Sequence, residues 1–281
     1  MVLVNNDEKK ILICRISGGL GNQLFQYAFA KEFILKTGAR LLLDTRSFTP
    51  GNKRNLELFH FPIQADVLTN EHLDSLPNEI SCLNQTHGFW FYDKISINDT
   101  DFPLYAHGMW QSWKYFISAE QILRSEFCFQ TKKISNKAIG LGDVLSKTPS
   151  VGIHIRRTDY ANHSQLCILP NSYYYNAVNF FKQKNTEYVF YVFLDDPDWV
   201  ESSFNIPSSF QIVRDNTGFE DLYLMSQCQN NIIANSTFSW WGAWLNNNSN
   251  KMIVVPKYWT SGKGIDITKT DLIPCDWICL W

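Results

Sequence analysis

Lys10-Ile-Leu-Ile-Cys-Arg-Ile-Ser-Gly-Gly-Leu-Gly-Asn-Gln-Leu-Phe-Gln-Tyr27, with Arg40-Leu-Leu-Leu-Asp44 beyond it, spells a strand, a glycine turn, a helix and a second strand. Lys10 to Ile16 is apolar and β-branched, as a buried strand is. Asn22 to Lys36 repeats its apolar residues at helical spacing, with Leu24, Phe25, Ala28, Phe29 and Phe33 on one side. Gly38 is placed to end that helix in a left-handed turn. A strand joined to the next through a helix runs parallel to it, so this segment opens a parallel sheet.

The second half repeats the pattern. Strands are predicted at Val151–Ile155, Tyr188–Leu194, Gln211–Val213, Asn231–Ala234 and Lys251–Val255. Helices are predicted from Asn171 or Ser172 to Lys184, over Phe219–Gln229 and over Thr237–Asn246. This alternation implies a doubly wound α/β fold. The region from Phe48 to Phe129 mixes short apolar pieces with Pro, Asn and Asp, and reads as loops and short helices completing the first half. Lys132 to Ser150, with Gly140, Gly142 and Pro149, reads as a link. The expected organisation is two α/β halves, 1–145 and 146–281, with a cleft between them.

The chain has 281 residues, a net charge of −2 and 45% hydrophobic residues, which suits packed domains and excludes a disordered chain. Near-neutral charge argues against a nucleic-acid partner. The seven cysteines form no C-x-x-C pair, so zinc and thioredoxin motifs are absent and a reducing compartment is expected. The segment Met1 to Lys10 is polar and lacks the apolar stretch of a secretory signal, and no run approaches a membrane span. A cytoplasmic location follows as the expectation. The Asn98-Asp-Thr and Asn235-Ser-Thr sequons then carry no weight. His60, His72, His87, His107 and His163 stand isolated and read as ordinary surface or core histidines.

Four segments carry chemistry. In Val151-Gly-Ile-His-Ile-Arg-Arg-Thr-Asp-Tyr160, charged residues sit at the carboxyl end of a buried strand, where parallel sheets gather ligands. Strand alternation puts His154 and Arg156 on one face and Arg157 on the other. One arginine can grip a diphosphate, leaving the other for a structural pair, with Asp159 as its partner. In Asn235-Ser-Thr-Phe-Ser-Trp-Trp-Gly-Ala-Trp244, Ser236 or Thr237 caps a helix whose first amides form an anion site, while Trp240, Trp241 and Trp244 pack beneath. In Ser17-Gly-Gly-Leu-Gly-Asn-Gln23, the glycines permit close backbone approach, and Asn22, Gln23 and Gln26 offer amides. Leu24 stands where a dinucleotide fingerprint needs its third glycine, so an oxidoreductase is disfavoured. In Leu194-Asp-Asp-Pro-Asp-Trp199, Asp196 and Asp198 match a metal-holding D-x-D, but an acidic cap before Pro197 is the preferred reading. Asp195 or Asp196 can alternatively accept hydrogen bonds from a base such as guanine.

The Gly-Gly-Leu-Gly-Asn-Gln-Leu-Phe-Gln-Tyr run at 18–27, the HIRRTDY segment at 154–160 and the NSTFSWWGAW segment at 235–244 together resemble the α-1,2-fucosyltransferases of glycosyltransferase family 11. Phe193-Leu-Asp-Asp196 and Asp221-Leu-Tyr-Leu-Met-Ser226 fit the same pattern. The resemblance spans nearly the whole chain and is weakest over 48–105. It implies a GT-B fold, two facing Rossmann-like domains, the first on the acceptor side and the second holding GDP-fucose. It implies metal-free inverting transfer of L-fucose from GDP-β-L-fucose to the 2-hydroxyl of a terminal galactose, as in surface-glycan synthesis. By the same resemblance Arg156 grips the diphosphate and His154 lies near the nucleotide. Asp195, Asp196, Asn235, Ser236 and Thr237 are the further donor-side candidates. Gly19, Gly21, Asn22 and Gln23 are the cleft-side candidates.

Arg156 and the Ser236/Thr237 helix end are expected to stabilise the departing diphosphate. Asp159 is a candidate base, although its closeness to Arg156 equally suits a structural pair; Asn22, Gln23 or a carboxylate of the first half are alternatives. The competing readings are a metal-dependent sugar transferase using Asp196 and Asp198, and a glycan-binding module without chemistry. Expected partners are GDP-fucose and a galactose-terminated acceptor, with peripheral contact at the inner membrane face where acceptors are lipid-linked. The sequence specifies no oligomeric state.

Overall fold

A computed structural model of the chain describes residues 10–85, 88, 95, 98, 101–160, 167–260 and 264–280. Residues 1–9, His87 and His163, on which parts of the sequence reading fell, lie outside them. The chain divides into two compact units: Met1–Cys128 with Thr270–Leu272, and Phe129–Lys269 with Ile273–Trp281.

The first unit contains β1 (Ile11–Arg15), α1 (Leu20–Thr37), β2 (Arg40–Asp44), β3 (Asp66–Val67), α2 (Asn70–Ser75), β4 (Ser81–Asn84), β5 (Leu104–His107) and α3 (Glu120–Glu126). Its strands run parallel in the order β3-β2-β1-β5-β4. The opening prediction holds closely. Gly18 takes a left-handed φ of 77°, and a Cβ there would fall 2.7 Å from the Asn22 amide. α1 ends at Gly38, whose φ is 71° and whose N–H reaches the Ile34 carbonyl at 2.8 Å. One side of α1 packs into an aromatic cluster in which Phe29 and Trp110 stack at 3.8 Å. Burying aromatics of this size is worth roughly 1.5–3 kcal/mol each.

Among the described residues between Phe48 and Phe129, the expected loops and short helices are joined by three strands, β3, β4 and β5. β3 and β4 are two and four residues long and mostly exposed, so they carry no apolar period to read.

The second unit contains α4 (Asn136–Lys147), β6 (Ser150–Ile155), α5 (Asn171–Lys184), β7 (Val189–Leu194), α6 (Pro197–Ser203), β8 (Phe210–Ile212), α7 (Gly218–Gln227), β9 (Asn230–Ile232), α8 (Thr237–Trp244), β10 (Ile253–Pro256) and β11 (Ile278–Leu280). All six strands are parallel, in the order β11-β10-β9-β6-β7-β8. The structural boundary falls at 128/129, not at the expected 145/146. The reason is α4: the stretch read as a link is a helix belonging to the second unit. Gly142 on α4 sits so close to Tyr223 of α7 that a Cβ there would lie 2.6 Å from the tyrosine oxygen. Glu220 of α7 accepts the Ser135 amide at the start of α4. The cap of α5 also differs. Pro170 occupies the cap position, and Asn171 donates instead to the Ser203 carbonyl. No helix among the described residues is long and apolar enough to cross a membrane.

Candidate functional site

In the second sheet the chain steps from β6 outward through β7 and β8, then returns to β9 on the other side of β6. The strand order therefore reverses between β6 and β9, and such a switch point is where open α/β sheets hold ligands. The carboxyl end of β6 carries His154, Arg156 and Arg157. The end of β9 leads into Asn235, Ser236 and Thr237.

β6 is buried along its whole length, so its charged continuation must be neutralised locally. Asp195, just past β7, accepts the Arg157 amide at 2.8 Å and the Thr158 hydroxyl at 2.7 Å, and lies 3.2 Å from Arg156 Nε. Asp196 caps α6 by accepting the Trp199 amide at 3.2 Å, with Pro197 in the first turn. Its other oxygen lies 3.2 Å from Arg157 Nε. The Arg157 guanidinium stacks 3.9 Å over the Trp199 ring. Arg157 is thus the structural arginine, but its partner is Asp196. Asp159, expected there, accepts from Arg156 at 2.7 Å. The reason is local: β6 ends at Ile155, so strand alternation does not govern the residues beyond it. The acidic-cap reading of Asp196 holds, and Asp195 serves as an anchor for the turn.

The Arg156 side chain is 21% exposed. Burial alone would make its cation easier to lose, and the Asp159 hydrogen bond outweighs that, so the guanidinium stays charged. Tyr160, at the end of the same motif, is a site residue that strand and motif reasoning did not single out. Its ring lies 5.9 Å from the Arg156 guanidinium, and its hydroxyl donates to the Asn235 carbonyl at 2.8 Å. Tyr160 thereby ties the end of β6 to the end of β9. Burial is the main cause holding its hydroxyl up at about 12.

His154 is 4% exposed, and burial, with help from Arg156, lowers it to about 3, so it is neutral at physiological pH. Its Nδ1 is buried and has no hydrogen-bond partner among the described residues. Asn235 is in the same state at Oδ1, while its Nδ2 is held by the carbonyls of Cys167 and Trp259. Buried polar atoms are rarely left so, and two of them flank one switch point. Ser236 caps α8 through the Phe238 amide, as expected of Ser236 or Thr237, and Thr237 begins the helix. Trp240 and Trp241 are fully buried, as their packing role requires. In the first turn of α7, Asp221 accepts from Asn216, and burial lifts its carboxyl to about 6.

The glycine-turn residues belong to the first unit. Gly21 is buried in the first turn of α1, and Gly19 is half-buried. Gln23 is fully buried: its Nε2 donates to the carbonyls of Gly18 and Asn55, and its Oε1 accepts the amides of Glu57 and Leu58. Gln26 is likewise spent on Ser17 and Gly108. Their amides organise the turn and are not presented to a ligand. Asn22 is half-buried, with Oδ1 accepting from Gln111. Among the described residues no group of three or more His, Cys, Asp or Glu side chains is placed to hold a metal ion.

Residues 15–280 match the family model described as glycosyl transferase family 11. The chain is 28% identical over 294 residues to an α-1,2-colitosyltransferase of Escherichia coli, covering 95% of this chain and 98% of that protein. It is 30% identical over 306 residues to the Escherichia coli O-antigen biosynthesis glycosyltransferase WbnK, covering 94% and 99%. A 26% identity over 251 residues relates it to galactoside α-(1,2)-fucosyltransferase 1 of Rattus norvegicus, covering 81% of this chain and 61% of that protein. Among solved structures, the NodZ α-1,6-fucosyltransferase co-crystallised with GDP aligns with a TM-score of 0.55 at 14% identity, covering 84% and 92%. That likeness establishes the GT-B fold class.

Proposed function

Because the chain belongs to glycosyl transferase family 11, we propose that it transfers L-fucose from GDP-β-L-fucose to the 2-hydroxyl of a terminal galactose, inverting the sugar to an α linkage. The observation that carries the donor side is the arrangement at the β6/β9 switch point. A partly open Arg156, fixed by Asp159 and Asp195, stands on one strand end, and the N-terminus of α8 opens from the other.

In such a transfer the acceptor hydroxyl attacks C1 of the sugar as GDP departs from the opposite side. Negative charge grows on the bridging phosphate oxygen. A preorganised guanidinium and first-turn amides meet that charge without reorganising. Arg156 is the residue we assign to the diphosphate, with the α8 terminus beside it. His154, neutral and deeply buried, offers a hydrogen bond without adding charge. The role assigned to Asp159, whose Oδ2 accepts from Arg156, is to orient the arginine. No metal is required in this scheme: the cationic side chain and helix terminus supply the positive potential, and Asp196 is committed to a cap and to Arg157.

Arg156→Ala is expected to lower transfer by at least about 10²-fold, the scale of losing one preorganised donor, while the melting temperature stays close to that of the parent. Near-normal turnover in that variant would refute the diphosphate role. Activity lost in EDTA and restored by a divalent cation would favour the D-x-D alternative. A second donor reading, colitose in place of fucose, is favoured by the colitosyltransferase relative. Paired assays with GDP-fucose and GDP-colitose separate the two.

A further inference from the structure

The first sheet has its own switch point. The chain runs outward from β1 through β2 and β3, then crosses to the far edge as β4 and steps back to β5 on the other side of β1. β1 and β5 pair through Cys14 and Ala106, and the next residues are Arg15 and His107. Arg15 Nη1 and His107 Nε2 lie 3.0 Å apart. A guanidinium has only donors, so Nε2 accepts and His107 keeps Nδ1–H as a further donor. Among the described residues no carboxylate pairs with Arg15.

The nearest acid on this edge is already committed. Asp44, at the end of β2, takes a two-pronged contact from Arg46 at 2.8 Å and a hydrogen bond from the Tyr105 hydroxyl at 2.7 Å. Burial alone would raise its carboxyl, and these bonds bring it down to about 2. The Tyr105 hydroxyl is held up at about 12 by burial first and Asp44 second, and it feels the cations of both Arg15 and Arg46. Arg54, near the glycine turn, is offset by the neighbouring Glu57 carboxylate, so it adds nothing to the balance. In a chain of net charge −2, this strand edge therefore carries a local positive excess centred on a half-buried Arg15. A half-buried guanidinium whose polar side-chain partner among the described residues is an imidazole is poorly compensated, and an oxyanion ligand compensates it.

We propose that Arg15, supported by His107 and Arg46, forms an oxyanion subsite that binds a carboxylate or phosphate carried by the acceptor glycan. The proposal rests on the glycosyltransferase reading above and adds to it the class of acceptor: anionic, not neutral. Arg15 contributes bidentate donors, His107 contributes Nδ1–H, and Arg46 contributes long-range attraction while remaining paired with Asp44. The two natural sources of such a group are an acidic sugar unit and a glycosyl phosphate.

The test compares three acceptors that share a terminal galactose: a neutral disaccharide glycoside, the same glycoside extended by a uronic acid, and the same disaccharide as a glycosyl phosphate ester. Each is assayed with GDP-fucose against the parent, Arg15→Gln and Arg15→Lys, with melting curves as folding controls. The expected result is a kcat/KM for one anionic acceptor at least about tenfold above the neutral one, the worth of one charge-assisted contact. That ratio should collapse toward one in Arg15→Gln and recover in part in Arg15→Lys. Preference for the uronate assigns the carboxylate, and preference for the ester assigns the phosphate. No preference in the parent, or a preference that survives Arg15→Gln, overturns the subsite. If no acceptor receives fucose, the donor reading fails instead. Calorimetric binding of the same acceptors then decides: weaker anionic binding in Arg15→Gln upholds the subsite, and unchanged binding overturns it.

Discussion

Arg156 donates through Nη2 to Oδ2 of Asp159 at 2.7 Å, three residues further along the same turn. The pair separates two roles that one carboxylate can play. If Asp159 orients Arg156, Asp159→Ala should weaken GDP binding and lower kcat/KM together, by about tenfold or more for a lost charge-assisted bond. A fall in kcat at unchanged GDP affinity would instead identify Asp159 as the base. Calorimetry with GDP, run beside steady-state kinetics, distinguishes them.

Asp195 holds the turn from below, accepting from the backbone of Arg157 and from the hydroxyl of Thr158. Asp195→Ala strands the half-buried Arg157 amide, while the exposed Thr158 hydroxyl can turn to water, and should cost on the order of 1–3 kcal/mol in urea unfolding. Asp195→Asn keeps one acceptor and should cost less. An alanine variant as stable as the parent would show that the turn does not depend on Asp195.

In the first unit, Lys31 and Glu126 pair at 2.6 Å with both side chains nearly buried, and Tyr27 donates to the same carboxylate at 2.7 Å. Removing one member leaves a buried charge uncompensated. Glu126→Ala should therefore destabilise by about 3–5 kcal/mol, against about 1 kcal/mol for Tyr27→Phe. Denaturant midpoints for the two variants check the ranking.

Two groups in the second unit push the pH dependence of stability in opposite directions. His154 is lowered to about 3 when folded, so the unfolded chain binds its proton first. Its contribution is complete above about 6.5 and is lost as pH falls below that. Asp221 is raised to about 6, so here the folded chain holds the proton more tightly. That contribution is complete below 3.8 and is lost as pH rises through about 6. Asp221→Asn imitates the protonated carboxyl. It should gain stability relative to the parent between pH 4 and 6, by on the order of 2 kcal/mol, and keep the gain above that. A parent–variant difference independent of pH would contradict the raised carboxyl.

Gln23→Ala should lower stability by about 2–4 kcal/mol, because two amides and two carbonyls lose their partner. Activity per folded molecule should stay near that of the parent. A loss of turnover without a loss of stability would return Gln23 to the acceptor side.

The helices and strands that the sequence disclosed are those with long apolar signals. β6, β7, α1 and α8 lie within a few residues of their predicted bounds, because burial on both faces or along one helical side writes a pattern into the chain itself. The two-residue β3 and the exposed β4 write none. α4 was hidden by Gly140 and Gly142, residues that weaken a helix in isolation; at Gly142 the absence of a side chain is what lets Tyr223 approach. The motifs at 154–160 and 235–244 were legible for a similar reason, since each lies at or shortly after the carboxyl end of a buried strand. The partners of Arg156 and Arg157 were not, because the strand ends before them and alternation no longer applies.

Periodicity, turn glycines and motif spacing are local properties, and from them alone came two parallel α/β halves, a pair of arginines at a strand end and the family pattern. What folding decided is which distant residues meet. Arg157 reaches Asp195 across 38 positions, Tyr160 reaches Asn235 across 75, and Arg15 reaches His107 across 92. Each of these pairings forms because parallel strands from separate parts of the chain end side by side, and no residue in isolation records which strand will become its neighbour.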